Sequence, residues 1–342
     1  MVRSIVTNGN QLIARSKELA PGTLLCLVIG MASTFVSDHY GGPVILYALL
    51  MGMALNYLST EGRCVAGIQF CAKTVLRFGI ALLGARITVE QLLGLGPMPI
   101  LIVLVGVPTT ILFGYFLGNR LGLSREKGVL TGASVGICGA SAALAVSAVL
   151  PQNKDSERNL IFTVVCVTAL STVAMIAYPL IVSALELSPE AAGVFLGATI
   201  HDVAQVVGAG YMMSDEIGDI ATFTKLLRVS VLVPVVILIS LITVNWGAEH
   251  ASARTSKSPL PLFLLGFIFV VAFNSMGAIP EVAATSMVEL SRWCLVLAMV
   301  GLGMKSSFKE LAEMGWRPMV LMVSETLFLA VLVLAIIMLV DF

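Results

Sequence analysis

Charge is scarce in this chain. Asp, Glu, Lys and Arg supply 12% of its 342 residues, about half the roughly 25% of an ordinary soluble domain. Hydrophobic residues supply 58% and the mean hydropathy is +0.99. No polar stretch is long enough for a soluble domain, so residues 1–342 read as a single transmembrane domain. The charges present cancel, twenty basic against twenty acidic, which removes any electrostatic reason for a nucleic-acid partner. The six cysteines (Cys26, Cys64, Cys71, Cys138, Cys166, Cys294) lie in apolar surroundings, at spacings that fit no zinc site or disulfide framework. A P-loop, a dinucleotide fingerprint and a nucleophile–base pair are all missing. The reading is therefore not an enzyme, with no ATP drive and no cofactor.

A secretory leader is not expected. Arg3, Arg15 and Lys17 precede an apolar run that begins near Pro21, and only the brief turn Asp38–Gly42 separates it from the next run. Residues 1–20 read as a short interfacial segment before a retained span. A span needs about 20 mostly apolar residues. By that measure about eleven transmembrane helices are expected, near 21–37, 42–58, 64–86, 97–118, 128–150, 159–185, 191–213, 224–246, 259–277, 281–303 and 318–340. If each crosses once and the N-terminus is cytoplasmic, basic residues favour the inner loops. Arg3, Arg15, Lys17, Arg63, Arg120, Arg125, Lys127, Arg254, Lys257, Lys305, Lys309 and Arg317 then fall inside and Arg86, Lys154, Arg158, Lys225 and Arg228 outside, with Phe342 outside as well. Trp246 and Trp316 stand at span ends, where indole rings anchor.

Two stretches look like copies of each other. Gly128-Val-Leu-Thr-Gly-Ala-Ser134 and Gly193-Val-Phe-Leu-Gly-Ala-Thr199 match at an offset of 65 residues, and each leads into a polar or glycine-rich interruption of an apolar run. Unwound backbone survives in hydrocarbon only when buried in protein or lining a cavity, and paired interrupted segments mark transporter binding sites near the midplane. As simple crossings the two would run parallel; an inverted relation requires a re-entrant hairpin, and the sequence leaves both open. A second resemblance, Leu83-Gly84-Ala85-Arg86 with Leu92, Gly96 and Pro99 against Leu302-Gly303-Met304-Lys305 with Leu311, Gly315 and Pro318, keeps a constant offset of 219 residues. Seven spans apart, these copies would face opposite ways, as in an inverted repeat. The fold class expected is an all-α polytopic membrane protein with an inverted repeat and two discontinuous helices.

The candidate site residues cluster at the interruptions. Ser134, Gly136, Cys138, Gly139 and Ser141 leave amides accessible beside hydroxyls, and a half-helix N-terminus there suits an anion. Close packing of small residues explains the same composition, and Cys138 fits packing without redox chemistry. Thr131 and Thr199 could add hydroxyls. In the second interruption His201 could carry a proton, and Asp202 could hold a cation or orient a basic partner, with Gln205 close by. Lys225 and Arg228 are three apart and share a helix face. They suit an oxyanion, or they are anchors at a span end. Lys73, Arg77, Glu289 and Arg292 read as ion pairs between spans. Glu325, a lone acid in an apolar span, is either a proton carrier or a partner for a cation.

The run Gly132–Ser141, the run Thr199–Gly210 and the following Lys225-Leu-Leu-Arg228 resemble the signatures of the YeiH family, bacterial inner-membrane proteins described as sulfate exporters. The likeness extends over nearly the whole chain. Asp202 departs from the glutamate expected after the histidine, which shortens the carboxylate's reach. The resemblance implies a kinship with transporters built on discontinuous crossing helices, and a core moving against a panel. It implies secondary transport of sulfate, sulfite or a sulfonate, outward and coupled to a proton or sodium ion. The alternative is a proton- or sodium-coupled organic-acid carrier or cation antiporter centred on Asp202. The expected partners are the small anion, the coupling ion and the lipid bilayer, and a homo-oligomer is compatible with everything in the chain.

Overall fold

The computed structural model describes residues 2–243, 262–306 and 316–340. Among the described residues every regular element is helical. Among the described residues seven helices are long and apolar enough to cross a membrane, namely Arg15–Tyr40, Val65–Leu83, Met98–Arg120, Ser156–Ala184, Asp215–Thr243, Glu281–Lys305 and Trp316–Leu339, and shorter apolar helices accompany them. The chain is an all-α polytopic membrane protein. Trp246, Arg254, Lys257, Lys309, Leu311 and Gly315 lie outside the described residues, and with them part of the second copy of the 219-residue repeat.

The chain divides into two compact units, and the first comprises Met1–Ile87 and Gly266–Ser307. It holds α1 (Val2–Tyr40), α2 (Val44–Ala54), α3 (Val65–Phe70), α4 (Leu76–Leu83) and α15 (Glu281–Lys305), with a π-helical turn at Cys71–Val75 joining α3 to α4. Helices in lipid gain from close backbone approach through small residues. Gly52 on α2 and Gly303 on α15 show this: a Cβ added at Gly303 would lie 3.0 Å from Met53 N and 3.1 Å from the Gly52 Cα. The last carbonyls of α15 have no partner within the helix. Asn56 Nδ2 donates to Met304 O (2.6 Å) and Ser306 O (3.2 Å), and Ser59 Oγ lies 2.8 Å from Met304 O. Asn56→Ala is therefore expected to destabilise the folded chain by about 1–2 kcal/mol, read as a lower thermal midpoint in detergent. Arg292 pairs with Glu289 at 3.3 Å one turn away on the same helix.

The second unit, Thr88–Leu265 with Phe308–Phe342, carries α5 (Val89–Gly94) through α13 (Leu232–Thr243) and α16 (Trp316–Leu339); α14 (Leu262–Ser275) straddles the division. Its organising element is α9 (Ser156–Ala184), 29 residues long and so about 43 Å at 1.5 Å per residue. Each interrupted segment is a pair of half-helices. α7 (Arg125–Gly136) breaks at 137–139 before α8 (Ala140–Ser147), and α10 (Pro189–Thr199) breaks at 200–202 before α11 (Val203–Met213). Gly139 makes the first break possible, since its φ of +65° is a conformation that side chains resist. At the second, Asp202 stops one helix and caps the next, its Oδ1 accepting from Ala204 N at 2.8 Å. Ser124, Ser188 and Ser214 cap α7, α10 and α12 (Asp215–Ser230) in the same way.

Both pairs are re-entrant hairpins. Glu126, Lys127 and Leu130 at the start of α7 line one cleft with Ser147 and Leu150–Asn153 at the end of α8, so the chain goes in and comes back. In the second pair, a Cβ on Gly193 of α10 would meet Ile217 and Ile220, and one on Gly210 of α11 would meet Gly218. The outer ends of α10 and α11 thus rest at the same level of α12. The first hairpin opens at the Ser156 end of α9 and the second at the Ala184 end, so the two point toward each other. Their tips meet where a Cβ on Gly139 would lie 3.7 Å from His201 O. That level is halfway along α9, because Ser171 Oγ accepts from Asp202 N at 2.9 Å and Thr172 Oγ1 from Gln205 Nε2 at 2.8 Å. The eleven apolar segments are mostly helical where described, and two of them break and fold back at half depth.

One expectation is corrected as a result. Arg120, Arg125 and Lys127 share an end of this unit with Lys154 and Arg158, where simple crossings would have separated them. The opposite end carries Glu186, Glu190, Asp215 and Glu216 and no basic residue in the connections 185–190 and 213–219.

Candidate functional site

A half-helix that stops inside the bilayer leaves its last carbonyls without partners and presents the negative end of its dipole. α7 and α10 both stop in this way at the same place. Lys225 and Arg228 on α12 are fully buried there, at 0% and 1% exposure. Lys225 Nζ donates to Ile137 O and to Ile200 O, each at 2.8 Å. Arg228 donates from Nε to Gly136 O (3.0 Å), from Nη2 to Val135 O (2.7 Å) and from Nη1 to Ala198 O (2.6 Å). Two cations thus fasten the two tips to one helix. Neither is an anchor at a span end, and most of their hydrogen bonds are committed to backbone. What they offer a passing solute is chiefly their field.

The other half-helices present amides at their starts. α11 is capped by Asp202, whereas α8 follows Gly139 with no side-chain cap. Ser141, in the first turn of α8, is exposed. Ser134 Oγ donates to Leu130 O and Thr199 Oγ1 to Phe195 O, both at 2.6 Å. The two hydroxyls occupy equivalent positions in the repeated motif and bond back to their own helices. Gly136 gives its carbonyl to Arg228, and Cys138 is a buried free thiol packed at the first tip.

His201 is wholly buried, with Nε2 3.0 Å from Thr326 Oγ1 on α16. Thr326 donates its own proton to Met322 O at 2.8 Å, so the imidazole Nε2 is the donor toward Thr326. The Oε1 of the preceding residue, Glu325, lies 2.8 Å from Thr131 Oγ1 on α7. Around the tips, five buried polar atoms have no hydrogen-bond partner among the described residues: Tyr178 Oη, His201 Nδ1, Gln205 Oε1, Thr224 Oγ1 and Glu325 Oε2. Such atoms are rare in native interiors and each calls for an explanation. All five belong to the unit that holds the hairpins.

The sequence brought His201, Asp202, Gln205, Lys225 and Arg228 to one place, and the structure puts them there with Gly136, Cys138 and Gly139. Ser171, Thr172, Tyr178, Thr224 and Thr326 were missed; hydroxyls in continuous apolar helices carry no pattern that distinguishes a functional one. At the basic end of the unit, a cavity of about 350 Å3 is lined by Ser124, Lys127, Asp155, Arg158, Asn159 and Phe162 among others. Lys127 Nζ lies 4.9 Å from the centre of the Phe162 ring.

Comparison with known proteins places this geometry in a family. The family model described as Conserved hypothetical protein 698 matches residues 21–322. The chain is similar to a UPF0324 membrane protein of Chlorobaculum tepidum, at 54% identity over 92% of this chain and 88% of that one. It is also similar to the UPF0324 membrane protein TauZ of Paracoccus denitrificans, at 47% identity over 92% and 93%. A UPF0324 membrane protein of Bacillus cereus is 33% identical over 87% and 88%.

Proposed function

Since the chain belongs to the UPF0324 membrane protein family, the family of Conserved hypothetical protein 698, we propose that it is a secondary transporter that moves a small oxyanion of the sulfate, sulfite or sulfonate class by alternating access. The observation that carries this reading is the meeting of two opposed re-entrant hairpins, tip to tip, on a pair of buried cations. Each hairpin covers half the depth, so a solute at the tips is separated from either face by only one short helical pair. A modest shift of one hairpin changes which face it meets.

Anion selectivity follows from charge and dipole together. Lys225 and Arg228 hold positive potential at the tips, and the uncapped start of α8 offers the amides of its first turn and the Ser141 hydroxyl. The basic end of this unit, with Arg120, Arg125, Lys127, Lys154 and Arg158, faces the cytoplasm by the positive-inside rule; the reading keeps a bacterial inner membrane and a cytoplasmic N-terminus. The cavity holding Lys127 and Arg158 gathers anions on that face, in keeping with export.

Ser141→Asp tests the site directly. A carboxylate in the first turn favours the helix while occupying the place of the anion. Saturable flux of labelled sulfate, sulfite or a sulfonate in proteoliposomes is expected to fall about tenfold or more, the factor that 1.4 kcal/mol of repulsion gives, with the thermal midpoint held or raised. Unchanged flux would remove the start of α8 from the pathway. Flux driven by a pH or sodium gradient without any sulfur oxyanion would favour the cation antiporter or organic-acid carrier centred on Asp202.

A further inference from the structure

We propose that Glu325 is the binding site of the coupling proton, and that it works as a latch between α16 and the first hairpin; this rests on the transport reading above. The geometry is specific. Glu325 is 0% exposed on a helix long and apolar enough to cross the membrane. Its Oε1 meets the Thr131 hydroxyl at 2.8 Å, and its Oε2 meets no donor. Gly114 on α6 (Met98–Arg120) presents bare backbone to the carboxyl, leaving no room there for a larger residue. Among the described residues no basic side chain comes within ion-pairing distance of it.

Thr131 is the partner such a site requires. Its Oγ1 is also 3.0 Å from Lys127 O and 3.2 Å from Gly128 O. When the carboxyl is neutral, its O–H donates to Thr131 Oγ1, and Thr131 turns its own proton to the helix carbonyl. When the carboxyl is ionised, Thr131 donates to Oε1, and Oε2 is left bare in a dry interior. Burying a charged oxygen without a donor is strongly unfavourable, so the arrangement seen here accommodates the acid. The carboxylate needs a conformation in which water reaches Oε2, and losing the proton therefore loosens α16 from α7. The next residue, Thr326, holds His201 at the tip of the second hairpin, so α16 touches both hairpins through adjacent side chains, the first midway along α7 and the second at its tip. A proton on Glu325 can thus be felt at both.

The titratable neighbours are few. From α9, Cys166 lies close enough to feel the carboxyl's charge, and from the second tip His201 stands one residue away through Thr326. α6 contributes Gly114, and on α7 the nearest cation, Lys127, reaches toward Phe162 on α9.

Glu325→Gln and Thr131→Val in proteoliposomes provide the test. In the native protein an imposed pH gradient should change sulfate, sulfite or sulfonate flux by about tenfold, within the range of site-to-site coupling. In Glu325→Gln that ratio should fall to about one. Thr131→Val keeps the carboxyl and should shift the pH at which flux is half maximal. Difference infrared spectra give a second readout: the C=O band of a protonated carboxylic acid should be present in the native protein and gone in Glu325→Gln, whether or not the variant transports. A Glu325→Gln protein that keeps the full gradient response, or a native protein whose carboxylic-acid band survives the substitution, would overturn the proposal. Absence of flux in the native protein would instead overturn the transport reading, leaving the infrared band to decide the proton site.

Discussion

Arg228→Met is expected to prevent the second unit from reaching a stable fold. The guanidinium donates to carbonyls of both half-helices that end at the tips. Methionine keeps the length and apolar stem but strips Val135 O, Gly136 O and Ala198 O of their donors. Each buried group left unpaired costs about 1–3 kcal/mol, so three together amount to roughly 3–9 kcal/mol, comparable with the whole stability of a domain. Lys225→Met uncovers Ile137 O, while Ile200 O keeps a longer donation from Arg228 Nη1 at 3.3 Å, and should be milder. Arg228→Lys keeps the charge but cannot fork across both tips, and should fall between Lys225→Met and Arg228→Met. Size-exclusion profiles and thermal midpoints in detergent give the order. If Arg228→Met melts with the native protein but loses anion flux, the guanidinium binds solute, and its role as a fastener is wrong.

These substitutions also show what the sequence could and could not reveal. The breaks were legible because glycine, serine and a His-Asp pair are conspicuous in an apolar run. The depth of Lys225 and Arg228 was half legible: their spacing fixed a shared face, but their acceptors are backbone carbonyls, which every residue carries and no composition distinguishes. The direction of the hairpins was hidden for a related reason. Hydropathy registers length, and residues 128–150 are as long as a crossing. That they are two helices of 12 and 8 residues folded on one another depends on the positive φ of Gly139, which shifts no average. The basic residues then misled, because Lys154 and Arg158 were assigned the far face by counting one crossing too many.

Cysteine labelling should separate the two topologies in an all-or-none manner. Arg125→Cys, Lys154→Cys, Glu190→Cys and Glu216→Cys all fall at exposed positions, and of the six native cysteines only Cys64 is not buried, so a Cys64→Ser background suffices. With re-entrant hairpins, a membrane-impermeant thiol reagent reaches 125 and 154 from one face and 190 and 216 from the other. With simple crossings, 125 and 154 label from opposite faces, as do 190 and 216. The same measurement fixes orientation, since the basic end should react only in inverted vesicles if it faces the cytoplasm. Should 125 and 154 part company, the half-helices could not return to the side they came from. The carbonyls now gathered on Lys225 and Arg228 would then have to find other donors, because unpaired backbone does not persist in hydrocarbon.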